Sequence, residues 1–173
     1  MTALAPEQAH DDGLYELRQR IAAEVIARLR PDIPGISSHF GERYEGTDEP
    51  EVLVYRHTGG QFRFLAFAFS PWRMWDLHVG IVPQGDRHLS VGFHISERAG
   101  PILMPALRGL ALTIGITVQH QPAAVEYQAN LPVLAIDEVP VEDIVYKTSD
   151  LCRQVARVAA QTVCPEAMRE SGN

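Results

Sequence analysis

Three residues in this sequence offer chemistry: Asp76, His78 and His94. A histidine oriented by a carboxylate acts as general acid or base near neutral pH. Two histidines and a carboxylate also form a ligand set for a divalent metal with open positions. Arg56 and Arg63 add planar guanidinium forks that suit a carboxylate or a phosphate. Each feature has a plain alternative. The trio would serve as a polar sheet face with a stabilising Asp–His pair, and the arginines would be solvated or paired with a protein acid such as Glu51 or Glu126. No Gly-rich phosphate loop follows a strand, and no Gly-x-Ser-x-Gly elbow occurs. Gln128 stands where a nuclease core would need a lysine after Glu126.

The elements that must position these residues are legible from periodicity. Residues 7–30 carry Leu14, Leu17, Ile21, Val25 and Leu29 at three- and four-residue spacing, which predicts an amphipathic helix stopped by Pro31. A connection over 31–50 holds a short helix at Ile36–Tyr44. Glu51–His57, Gln61–Phe69, Arg73–Val82 and His88–Ser96 are β-branched and aromatic runs with alternation. Gly59-Gly60, Pro71-Trp72 and the five residues 83–87 join them as short turns, so the four strands form an antiparallel meander. Residues 105–114 are apolar all round and predict a buried central helix, with Pro105 at its start and Gly115 at its end. Strands follow at Ile116–Gln121, Val125–Ala129 and Val133–Ile136, and the last 25 residues predict a C-terminal helix. The expected fold is therefore α+β in one domain over 1–173, with the helices on one face of the sheet and disordered tails at 1–6 and 166–173.

The turns set a register on paper. Phe67 falls opposite Asp76, Leu65 opposite His78, His78 opposite Gly92, and Asp76 opposite His94. One face then reads as core, including Phe64, Ala66, Ala68, Trp75, Leu77, Val79, Phe93 and Ile95. The other face carries Val52, Val54, Leu65 and Phe67 as an apolar floor. With them are Arg56, Arg63, Ser90 and the Asp76, His78, His94 cluster. A mostly apolar surface with a few convergent polar groups has the composition of a ligand pocket. His120 is expected as a core histidine, His88 as an exposed residue at the start of its strand, and Glu126 as a more distant carboxylate.

The expected function is binding of a small, partly apolar acidic ligand on this face. Arg56 and Arg63 would hold its anion, with Leu65, Phe67, Val54 and Ser90 as further contacts. His78, His94 and Asp76 would do proton transfer of the isomerisation or cyclisation kind. A metal held by those three residues is the lesser alternative, and no motif names a cofactor. The competing reading is a non-catalytic interaction or regulatory module, in which the same face joins a homodimer.

Composition narrows the partners. The 173 residues carry 15 basic and 22 acidic side chains, a formal charge of −7 with no basic cluster, which argues against nucleic acid or an anionic membrane surface. Lys147 is the only lysine, so lysine chemistry has one candidate. Cys152 and Cys164 are twelve residues apart, about 18 Å along one helix at ~1.5 Å per residue, and are expected as free thiols. The sequence has no apolar run of membrane-spanning length and no signal-peptide pattern, so a cytoplasmic location is expected.

Overall fold

An apolar stripe at helical spacing needs a surface to lie on, and the first helix finds one in a sheet. A computed structural model of the chain describes residues 6–40, 65–84, 88–122 and 125–169. Helix α1 spans Pro6–Leu29 and buries Ile21, Val25 and Leu29. Strands β1 (Ile36–Phe40), β2 (Leu65–Phe69), β3 (Leu77–Pro83) and β4 (His88–Ser96) follow, then helix α2 (Gly100–Ile114). Strands β5 (Val118–Gln121), β6 (Glu126–Asn130) and β7 (Leu134–Ala135) precede helix α3 (Val141–Gln161) and a short 3-10 turn at Glu166–Met168. The sheet is antiparallel with strand order β1-β2-β3-β4-β6-β5, and β7 pairs with β4. The fold is α+β, with the helices packed against one face of the sheet. No helix among the described residues is long and apolar enough to cross a membrane.

The meander is present, but its first strand is Ile36–Phe40, which was expected as a helix. That run pairs with β2 from Ile36↔Phe69 to Phe40↔Leu65, so ladder hydrogen bonds override its weak helical preference. The expected strand Glu51–His57, the Gly59-Gly60 turn and residues 61–64 lie outside the described residues.

The β2–β3 register differs from the expectation by three residues: Leu65 faces Ile81 and Phe67 faces Val79. The odd offset turns β2 over, because side chains alternate along a strand. Leu65 and Phe67, expected on the ligand face, lie in the core at 0 % exposure. Ala66 and Ala68, expected in the core, pack with Met74, Trp75 and Val82 on the other side. The physical reason is side-chain size. Facing the helices with Leu65, Phe67 and Phe69 removes far more apolar area from water than facing them with two alanines. The connection obliges by using seven residues, 70–76, where two were expected. Buried Trp72 anchors it, and a bridge from Trp72 to Arg169 ties it to the C-terminal segment. Residues 166–169, expected in a disordered tail, are thus part of the fold.

Helix α2 begins earlier than expected, with a proline in its first turn and Pro105 inside it, and Gly115 ends it in the left-handed region at φ 75°. It is not buried all round. Leu103, Met104, Leu107 and Ala111 face the core, whereas Leu112 is 81 % exposed. Helix α3 starts at Val141 and stops at Gln161, so Cys164 lies beyond it rather than in the same helix as Cys152. Both cysteines are free and buried, and burial pushes the Cys152 thiol far up.

The core placement of Phe67 predicts that Phe67→Ala lowers the unfolding free energy by about 3–5 kcal/mol, the usual cost of emptying a fully buried aromatic site. Urea denaturation measures it. A loss below about 1 kcal/mol would return Phe67 to the opposite face.

Candidate functional site

Register decides which side chains meet on the face away from the helices. Strands β3 and β4 pair with His78 opposite His94 and Gly80 opposite Gly92, two residues off the expected pairing. The parity is as expected, so the face is the expected one for these strands. Pairing runs on to Pro83↔Leu89, and the Gln84 N–H donates to the His88 carbonyl beyond that pair. Strand β6 then lies beside β4 with His94 opposite Gln128 and Ser96 opposite Glu126. One row therefore crosses the sheet as Ser37, Ala68, His78, His94, Gln128 and Gln119.

At the centre of that row the two imidazoles stack, ring centroids 4.7 Å apart and planes 19° apart. His94 is 4 % exposed, and its Nδ1 lies 3.0 Å from Glu126 Oε1. Gln128 Nε2 donates to the same oxygen. His78 Nδ1 donates to the Met74 carbonyl at 2.8 Å. Each Nδ1 faces an oxygen that accepts, so in the neutral rings the proton sits on Nδ1 and the lone pair on Nε2. His94 Nε2 is buried and has no hydrogen-bond partner among the described residues. A buried polar atom without a partner is uncommon and calls for a reason.

Glu126 is 6 % exposed. Burial alone would raise its carboxyl above the ordinary value. The His94 charge and hydrogen bond, the charge of His78 and the Gln128 amide outweigh this and hold it below that value. Glu126 is thus the carboxylate of the site, a place the sequence reading gave to Asp76. The two-residue shift puts Asp76 opposite Ser96 instead. Asp76 accepts hydrogen bonds from Ser96 Oγ at 2.6 Å and from Arg98 Nε and Nη2 at 2.7 and 2.6 Å. It touches neither histidine through these bonds and serves to lock the β3 entry to the β4 exit.

Glycines shape the space around the rings. A Cβ at Gly80 would lie 3.2 Å from His94 Nε2 and 3.4 Å from His78 Cδ2, so both rings lie over the same bare backbone. A Cβ at Gly92 would collide with the Asn130 side chain and the Ala129 carbonyl. Ser90 is buried on this face opposite Val82, as expected. Arg56, Arg63 and Val54 lie outside the described residues. Leu65 and Phe67 are absent from the face, and Val52 and Val54, the other residues of the apolar patch read from the sequence, lie outside the described residues. His120 is no core residue: it is 46 % exposed at its side chain and bonds Glu97 at 2.6 Å.

The donor atoms of His78, His94 and Glu126 lie within 4.8 Å of one another, so this trio, rather than the one containing Asp76, has the make-up of a metal ligand set. Glu126 and Gln128 were in plain sight as alternate residues of a strand. What was hidden is that β6 docks on β4 across an intervening helix and strand.

The depressed Glu126 carboxyl predicts an acid signature. A group held below its ordinary value adds stability above that value and loses it as pH falls through the folded-state one. In chelator-containing buffer, wild type should exceed Glu126→Gln in denaturation midpoint at pH 7, with the gap closing below about pH 4.5. Parallel curves from pH 7 to pH 3 would show that Glu126 gains nothing from His94. Compared with protein-family models, curated proteins and solved structures, the chain has no significant match to any.

Proposed function

We propose that the sheet face away from the helices binds a small, partly apolar acidic ligand and that His94 accepts its proton. The observation that carries this is the buried His94 Nε2, aimed beside Gly80 with no partner among the described residues, while Glu126 holds the opposite nitrogen. A carboxylate on Nδ1 fixes the tautomer and stabilises the imidazolium formed when Nε2 takes a proton. His78 stacks on the ring and positions it. Met74, Ala66, Ala68 and Val82 supply the apolar surroundings on the same side. Proton removal from the ligand and return at another atom would give the isomerisation or cyclisation chemistry that the sequence suggests.

The test is calorimetric titration of the full-length protein with a graded set of small aromatic and branched-chain carboxylates. At least one should bind saturably. His94→Gln, which keeps polarity without a ring base, should weaken it at least tenfold. Gly80→Ala, whose methyl group would press on Nε2, should weaken it as well. His120→Gln, on the surface, should change nothing. Thermal melts of each variant report folding. Binding by a folded His94→Gln variant as tight as wild type, or no binding by any carboxylate, would sink the reading.

A further inference from the structure

We infer that His78 and His94 together hold a divalent metal ion of the zinc class through their Nε2 atoms, with Glu126 setting the His94 ring. The inference deepens the reading above and rests on it for a buried His94 Nε2 with no hydrogen-bond partner among the described residues.

Three independent features converge. The first is the treatment of the outward-turned nitrogens. Metal-binding histidines nearly always donate their other ring N–H to a carboxylate or a backbone carbonyl, which fixes the tautomer and raises basicity. Here one ring has each kind of acceptor: Glu126 Oε1 for His94 and the Met74 carbonyl for His78. The second is convergence. The rings come from facing positions on neighbouring strands, and both lie against the bare backbone of Gly80, His94 with its Nε2 and His78 with its Cδ2. The third is the buried His94 Nε2, a strong donor of electrons without a proton to bind among the described residues.

Distance sets how much must move. The donor atoms of the trio lie within 4.8 Å. Two nitrogens on one tetrahedral ion, each about 2.0–2.1 Å from it, are roughly 3.4 Å apart. The rings are stacked, with planes 19° apart, so they must turn out of the stack for both nitrogens to point at one ion. Two imidazole nitrogens suit zinc or ferrous iron rather than calcium or magnesium, which prefer oxygen. Two nitrogen ligands leave open positions, and an acidic ligand's carboxylate fits one of them. No oxidation or bond cleavage is involved: the ion binds and a proton is released from whichever imidazole was charged.

The experiment uses full-length protein stripped with chelator, dialysed, and titrated with Zn2+ against a chromophoric competitor at pH 7.5. One ion per chain is expected. His94→Gln and His78→Gln should each weaken binding at least tenfold, and Glu126→Gln by about 10–100-fold, the range for losing such an orienting partner. His120→Gln should not alter it. Should the histidine variants fail to fold, Co2+ added to wild type reads the same site. Visible bands of nitrogen- and oxygen-bound cobalt without a thiolate charge-transfer band are expected. A thiolate band would move the ion to Cys152 or Cys164 and overturn the inference. Absence of zinc binding, or zinc binding unchanged in the His78 and His94 variants, would do the same. Zinc failure with carboxylate binding intact rejects the ion alone, whereas failure of both rejects the site.

Discussion

Taking a carboxylate out of water is the costliest thing this fold does, and the arrangement around Glu126 answers that cost. An ionised group moved into the interior loses several kcal/mol of hydration after relaxation, and only close partners offset it. Glu126 receives the His94 ring and the Gln128 amide on one oxygen, with His78 behind. These partners come from β3, β4 and β6, so the charge is satisfied only when three strands align at one level. The buried carboxylate thereby specifies register in a sheet where apolar alternation would tolerate a shift of two residues. Loss of one member of such a pair leaves the other charge stranded, which is typically worse than never having had the pair.

The two faces of the sheet solve different packing problems. Toward the helices the strands present large side chains, Leu65, Phe67, Val79, Phe93 and Ile95, against α1 and α3. Away from the helices the same strands present Ala66, Ala68, Gly80, Ser90 and Gly92, and yet these too are buried. Small residues at central strand positions bring neighbouring groups close to the backbone. At Gly92 that neighbour is Asn130, and at Gly80 it is the histidine pair. Strands reading large on one side and small on the other thus place two aromatic bases directly over main chain.

Much of this was readable in advance, and the failures have specific causes. Helix α1, strand β4 and the strands after α2 follow from periodicity that no tertiary contact contradicts. His78 and His94 were identified because alternation in β3 and β4 gives parity without ambiguity. Parity is blind to a two-residue shift, however, and that shift exchanged Asp76 for Glu126 as the histidine's partner. The β2 error was different in kind. A Pro71-Trp72 turn is locally sound, but Trp72 is buried and the chain takes seven residues to seat it. The competing signal, that Leu65, Phe67 and Phe69 outweigh Ala66 and Ala68, was present in the sequence and carried more free energy than the turn preference. Ile36–Phe40 shows the reverse limit, since a five-residue run becomes a strand only because β2 lies beside it.

The comparison of the two buried acids shows where chemistry is available. Asp76 spends both oxygens on the Arg98 fork and takes Ser96 as well. A guanidinium stays protonated throughout the physiological range and its planar fork fits a carboxylate, so this pair acts as a clamp. Glu126 is joined instead to an imidazole, a ring that in general can serve as acid, base or metal ligand. The two acids lie on the same side of one sheet and are both buried. Only their partners differ: one carboxylate is paired with a guanidinium and the other with an imidazole. An acid of this kind is identified by what it faces rather than by its type or its depth. That is why a sequence that displays both carboxylates equally well does not say which of them meets the histidine until the strands are paired.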